Sequence, residues 1–311
     1  MIGRVGRGAR AQTEAAPVDV LRQVRRIELR TRGLVNSRFT GEYHSVFKGQ
    51  GIEFAEVREY LPGDDVRSID WNVTARLGHP YVKRYVEERE LTVLLVVDLS
   101  GSQRWGTRRQ LKSELVAEVA ATLAMSAVKN NDRVGLLLVT DEVELFVPAG
   151  KGRRHTLRLI RDLLAFRPRG TRTDLAAGLD FAVRTAPARS IVFLFSDFEL
   201  GDGWESFTRA LTLATARHDV VAVRLADPGE AELPDAGMLL LRDPETGERL
   251  VLDTSNAASR QRFAQLVSAE AERAKRLFRR LQVDEIQLHT DVPYTPALLS
   301  FFGRRERRLR R

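Results

Sequence analysis

From residue 91 onward, apolar residues gather into short runs, separated by stretches in which they recur every three or four positions. Val93-Leu94-Leu95-Val96-Val97 is unbroken and made only of valine and leucine, so it predicts a strand buried on both faces. Comparable runs predict strands at 133–139, 190–195, 220–225 and 283–289, with a shorter one at 143–147. Helical spacing covers about 107–129, 153 to just before Pro168, 174–186, 204–217 and 257–280. Strands and helices that alternate in this way predict an α/β fold, a doubly wound and mainly parallel sheet. Two short apolar segments, 238–241 and 249–252, flank Asp243-Pro244-Glu245-Thr246-Gly247 and predict a surface hairpin.

The first 90 residues follow other patterns. Residues 1–16 are rich in Gly, Ala and Arg without periodicity and are expected to be disordered. Val18, Leu21, Val24, Ile27 and Leu29 mark one face of an amphipathic helix running to about Arg32. Residues 37–90 are punctuated by glycines around short extended runs at 69–73 and 81–86, with a turn at Leu61-Pro62-Gly63-Asp64-Asp65. This predicts a small β-rich module. The expected division is therefore a disordered N-terminus (1–16), a helix with the β-rich module (17–90), the main α/β domain (91–303) and a basic tail (304–311).

Composition narrows the function classes. The 311 residues are 43% hydrophobic, enough for a sizeable core, and contain no cysteine, which excludes disulfides and thiolate metal sites. No run of about 18 apolar residues is present to span a membrane. The arginine-containing N-terminus lacks the apolar stretch of a signal peptide, so the expectation is a soluble protein kept in the cytoplasm. The net charge of +8 raises the alternative of a basic nucleic-acid-binding protein. Much of that excess lies in Arg304-Arg305-Glu306-Arg307-Arg308-Leu309-Arg310-Arg311, read here as a solvated end, and no nucleic-acid partner is expected.

The candidate chemistry sits where the strands stop. Asp98, Ser100 and Ser102 follow the first buried run on alternate positions, and Asp197 follows the run at 190–195. Thr173 precedes the helix near 174, where it is also a natural N-cap. In a parallel sheet all strand carboxyl ends share one edge, so these loops are expected to converge. Two carboxylates and three hydroxyls are hard oxygen donors that suit Mg²⁺ or Mn²⁺. Such a shell stays incomplete, and a carboxylate from another protein can replace one of its waters. Catalysis has less support. The five histidines are scattered, no base neighbours Ser100, and Gly150-Lys151-Gly152-Arg153-Arg154-His155 lacks the phosphate-loop pattern. The enzymatic alternative, a Mg²⁺-dependent phosphohydrolase, calls for a second aspartate in the first loop and a lysine against the phosphoryl group. Serines stand in those places.

Asp98-x-Ser100-x-Ser102 with Thr173 and Asp197 resembles the metal-ion-dependent adhesion site of von Willebrand factor A domains. Upstream, Val57-Arg58-Glu59-Tyr60-Leu61-Pro62-Gly63-Asp64-Asp65-Val66-Arg67-Ser68-Ile69-Asp70-Trp71 resembles the signature of the bacterial "domain of unknown function 58" family, and Asn72 to Ala75, Pro80 and 87–91 extend the match. The resemblance implies a von Willebrand factor A-like, Rossmann-like domain behind the Pro-Gly-Asp-Asp module. It also implies a non-enzymatic, metal-dependent adaptor that partners a MoxR-type AAA+ ATPase in the assembly or activation of a client protein complex. Many relatives have Met where this chain has Gln103, and some carry N-terminal membrane helices that this chain lacks. Within the signature, Asp64 and Asp65 can stabilise the turn while Trp71 packs in the core. Alternatively, Arg58, Asp64, Asp65 and Arg67 form a surface that pairs internally or faces a partner.

Overall fold

A computed structural model describes residues 17–35, 40–47, 53–86, 90–104, 106 and 110–309. The expectations for 1–16, for the helix start at 107–109, for 87–89 and for 310–311 lie outside the described residues. The chain opens with α1 (Pro17–Leu34) and α2 (Thr40–Val46). Strands β1 (Glu53–Glu59) and β2 (Tyr81–Val86) pair antiparallel around α3 (Trp71–Leu77).

The main domain then runs β3 (Thr92–Asp98), α4 (Lys112–Lys129), β4 (Arg133–Val139), β5 (Val143–Gly150), α5 (Gly152–Ala165), α6 (Leu175–Thr185) and β6 (Ile191–Ser196). It continues with α7 (Trp204–Arg217), β7 (Asp219–Ala226) and the short α8 (Pro228–Ala231). The ribbon β8 (Met238–Arg242) and β9 (Arg249–Asp253) follows, then α9 (Ala257–Arg280), β10 (Asp284–His289) and α10 (Thr295–Leu309).

Six strands form the central sheet in the order β10-β7-β6-β3-β4-β5, parallel except for β5. The doubly wound α/β fold is thus the one observed. From β3 the chain winds towards β5, and from β6 it winds the other way, so the winding reverses between β3 and β6. In open α/β sheets the crevice at that reversal, beyond the strand carboxyl ends, is where ligands bind.

Alternation along β3 explains why its apolar run is unbroken. Val93, Leu95 and Val97 face a core shared with α1, α2, α4, α5 and α10, whereas Leu94 and Val96 face one shared with α6, α7 and α9. Truncating one such side chain to alanine costs about 2–5 kcal/mol. Val20, Val24 and Ile27 of α1 and Tyr43 of α2 belong to the first of these cores. Tyr43 Oη donates to Asp132 Oδ2 at 3.2 Å, and Asp132 Oδ1 accepts from Leu91 N at 2.9 Å, tying α2 to the entry of β3.

Three local expectations are corrected. Residues 69–73, expected to be extended, enter α3 instead: the Asp70 carboxylate caps Asn72 N and Val73 N, and Gly78 in the left-handed region ends the helix. Trp71, expected to pack in the core, is 68% exposed, next in chain order to the exposed Val66 and before the exposed Leu77. The basic end is not a solvated tail. Residues 304–309 belong to α10, whose Phe301 and Phe302 are buried, and Arg305 and Arg308 pair with Asp284.

Candidate metal centre

Asp98 closes β3 and Ser196 closes the neighbouring β6, so the two ends meet side by side. Ser196 Oγ donates to Asp98 Oδ2 at 2.7 Å, and Ser100 N donates to Asp98 Oδ1 at 2.9 Å. Ser100 Oγ and Ser102 Oγ lie 3.1 Å apart, brought together by the tight turn over Gly101–Arg104. Gln103 Nε2 bridges the loops, donating to Asp197 Oδ2 at 3.0 Å and to Ser102 Oγ at 3.4 Å. Asp98, Ser100, Ser102 and Asp197 therefore form one buried cluster.

The chain leaves Asp197 through Phe198, a buried residue at φ 60°. A bulky residue held there costs about 1–3 kcal/mol. Its ring is held against Phe207 and Phe278, with centroids 6.0 and 5.1 Å away.

Thr173 is placed differently from its N-cap reading. Asp174 caps α6, accepting from Ala177 N at 3.1 Å, which leaves the Thr173 hydroxyl free of that duty. Thr173 Oγ1 donates instead to Glu245 Oε1 at 2.8 Å, from the tip of the β8–β9 ribbon. The same loop is joined to the first by Gly101 N donating to Thr171 O at 2.8 Å.

One expectation about this site is overturned. A lysine does stand beside it: Lys112 Nζ lies 2.9 Å from Asp197 Oδ2 and 2.5 Å from Glu230 Oε1, with its side chain 0% exposed. The position was readable, because Lys112 shares the buried stripe of α4 with Leu115, Val116 and Val119. Nothing in the spacing marked Glu245 or Glu230. They arrive from segments after the sheet strands that carry Asp98 and Asp197.

Charge in the cluster does not balance among the described residues. There, Asp98, Asp197, Glu199, Glu230 and Glu245 act on one another around one ammonium, that of Lys112. Burial, then the neighbouring Asp197, pushes Asp98 up to about 7. Burial and Asp197 likewise push Glu199 up to about 7. Burial also raises Glu230 and Glu245. Asp197 moves the other way: burial opposes its charge, but Lys112 outweighs that and holds it below the usual carboxylate range. Lys112 is itself held above its ordinary value by Asp197 and Glu230, against the effect of burial.

The donor set fits a hard divalent cation. Surplus negative charge, hydroxyl oxygens and the absence of any sulfur or imidazole ligand favour Mg²⁺ or Mn²⁺. Gln103 Oε1 lies buried in the same cluster with no hydrogen-bond partner among the described residues. Also among the described residues, no three acidic, histidine or cysteine side chains form a ready-made ligand group. An ion here would thus rest on Asp98 and Asp197, with Ser100, Ser102, Thr173 and water completing its shell.

Arg58 and Asp64 form a two-pronged pair at 2.7 and 2.8 Å, and Leu61 N also donates to Asp64. Asp65 caps the following turn through Arg67 N, and Arg67 is exposed.

Residues 56–273 match the family described as "Protein of unknown function DUF58". The chain belongs to this family. The uncharacterized protein Rv1480 of Mycobacterium tuberculosis is 33% identical over 287 residues, covering 91% of this chain and 89% of its own. The uncharacterized protein YeaD of Bacillus subtilis is 29% identical over 109 residues, 35% of this chain and 25% of its own. Among solved structures, BatB from Bacteroides thetaiotaomicron is similar over 70% of this chain and 99% of its own, at 14% identity and a TM-score of 0.45. The SpRpn10 VWA domain is similar over 68% and 94%, at 10% identity and a TM-score of 0.39.

Proposed function

We propose that this DUF58 protein is a non-enzymatic, Mg²⁺-dependent protein-binding adaptor that works with a MoxR-type AAA+ ATPase on a client protein complex. The observation that carries this reading is the buried oxygen cluster at the reversal of the sheet, where Asp98 and Asp197 meet serine hydroxyls. Burying unbalanced carboxylates is costly unless a cation compensates them. A hard cation with an incomplete protein shell accepts a carboxylate from a docking protein without needing a catalytic base.

Lys112 revives the phosphohydrolase alternative, since an aspartate beside a lysine suits phosphoryl transfer. One feature favours adhesion: Lys112 Nζ is enclosed between Asp197 and Glu230, with its side chain 0% exposed, so it is not presented to a phosphoryl group.

Calorimetric titration with Mg²⁺ tests the metal. The wild-type protein is expected to bind and Asp98→Ala to lose binding; identical isotherms would sink the site. Capture from the native cell in Mg²⁺ and in EDTA tests the partner. Retention of the same AAA+ ATPase by wild type and Asp98→Ala alike would separate partnering from the metal.

A further inference from the structure

The β8–β9 ribbon is an unusual neighbour for a binding site. Among the described residues its two strands pair with each other and not with the central sheet, and Met238, Leu240, Leu250 and Val251 are left exposed on it. Its tip, by contrast, is anchored. Asp243 accepts from Glu245 N at 2.8 Å and from Thr246 Oγ1 at 2.8 Å, which braces the turn. Thr171 Oγ1 donates to Glu245 O at 2.9 Å, and Thr173 Oγ1 donates to Glu245 Oε1 at 2.8 Å. The approach is so close that a Cβ on Gly101 would fall 2.2 Å from Pro244 O. Glycine at that position is therefore a requirement of the contact.

Glu245 thus engages Thr173, one of the hydroxyls expected to face an ion, and brings a further carboxylate to a cluster already rich in them. Among the charged groups acting on it, Asp197 and Asp243 are both acidic. A cation beside it would make this placement favourable. The amide oxygen of the 2%-exposed Gln103, buried in the same cluster and without a hydrogen-bond partner among the described residues, is an independent sign that a ligand belongs there.

We propose that Glu245 is the chain's own occupant of the seat that a partner's carboxylate takes at the cation site, so that an outside carboxylate docks by displacing the ribbon tip. This rests on the metal-dependent reading above and specifies how the site is closed. Because the ribbon forms a sheet of its own among the described residues, its tip withdraws by giving up its bonds to Thr171 and Thr173 and no pairing to the central sheet.

Mn²⁺ alone serves as the probe. Its affinity is read by electron paramagnetic resonance, and its inner-sphere water count by water-proton relaxation, for wild type, Glu245→Gln, Glu245→Ala and Asp98→Ala. Matching melting curves in EDTA establish that each variant is folded. Both Glu245 variants are expected to bind Mn²⁺ about tenfold more weakly, in line with the loss of a supporting group at a metal site. Glu245→Ala should also carry one more exchangeable water, which acetate removes in the variant and not in wild type. Wild-type affinity and water count in both Glu245 variants, with binding lost in Asp98→Ala, would overturn the role of Glu245 and leave the metal site standing. No Mn²⁺ binding by the wild-type protein would overturn both.

Discussion

A single buried ammonium holds the acidic cluster together at the residue scale. Lys112 touches Asp197 and Glu230 and has no exposure of its own, so removing it strands two carboxylates in a low-dielectric interior. Breaking a buried pair in this way costs about 3–5 kcal/mol, whereas exposed pairs contribute under about 1 kcal/mol. Lys112→Met, which keeps the length of the side chain, is expected to lose stability in the larger range by urea unfolding in EDTA. A loss in the smaller range would show that something else neutralises Asp197. Asp98, Ser100, Ser102 and Asp197 were legible in the sequence because each follows a buried strand directly and the sheet aligns those ends. Thr173 was legible as a hydroxyl in a loop beside those strand ends, and its rival reading as an N-cap falls away because Asp174 performs the capping. Lys112 lies 85 residues from Asp197, and Glu245 lies 72 from Thr173. No local pattern encodes contacts of that span, although a lysine on an apolar helical stripe was a usable warning.

Elements whose neighbours are close in sequence were readable, and those decided by distant packing were not. The strand β3 and the helices α7 and α9 follow from their periodicity. The helix α10 was hidden, because its arginines look like a solvated end unless their acidic partners on β7 and β10 are known. Arg305 pairs with Asp219 and with Asp284 and stacks 4.7 Å from the Phe47 ring centroid, with its side chain only 10% exposed. Arg308 also reaches Asp284, but its side chain is 59% exposed. Solvent screening should separate the two. Arg305→Ala is expected to cost about 2 kcal/mol, less than a fully buried pair because both acids are partly exposed, and Arg308→Ala under about 1 kcal/mol. Chemical unfolding of the two variants side by side checks this, and equal losses would mean that α10 is held by its phenylalanines alone.

Across the whole molecule, the net charge of +8 contrasts with a deeply buried polar centre that is acidic. That centre lies where the winding of the sheet reverses, a place set by strand order, which alternation of strands and helices does not by itself dictate. Its charge surplus should weaken the protein whenever no cation is bound, and the direction with pH follows from Asp98. Its carboxyl is raised from 3.8 to about 7 in the folded protein. Between those values the folded chain keeps a proton that the unfolded chain has released, so stability falls as pH rises through that window. Above about 7 the folded protein bears the full cost of ionising Asp98 beside Asp197. Asp98→Asn removes that charge and keeps an acceptor for Ser100 N. In EDTA at pH 8 it is expected to be more stable than wild type by about 1 kcal/mol or more, with a flatter dependence on pH from 5 to 8. Mg²⁺ should reverse the order. At about a hundred times its dissociation constant, a ligand bound only by the folded state adds about 2.7 kcal/mol, and Asp98→Asn cannot gain it. Thermal and urea unfolding of both proteins, in EDTA and in Mg²⁺, read all four states. Equal stabilisation of both by Mg²⁺, or a variant weaker than wild type in EDTA, would make Asp98 a structural acid whose burial the fold needs. The expected reversal would instead identify it as a group kept at a cost to the empty fold for the ion it holds.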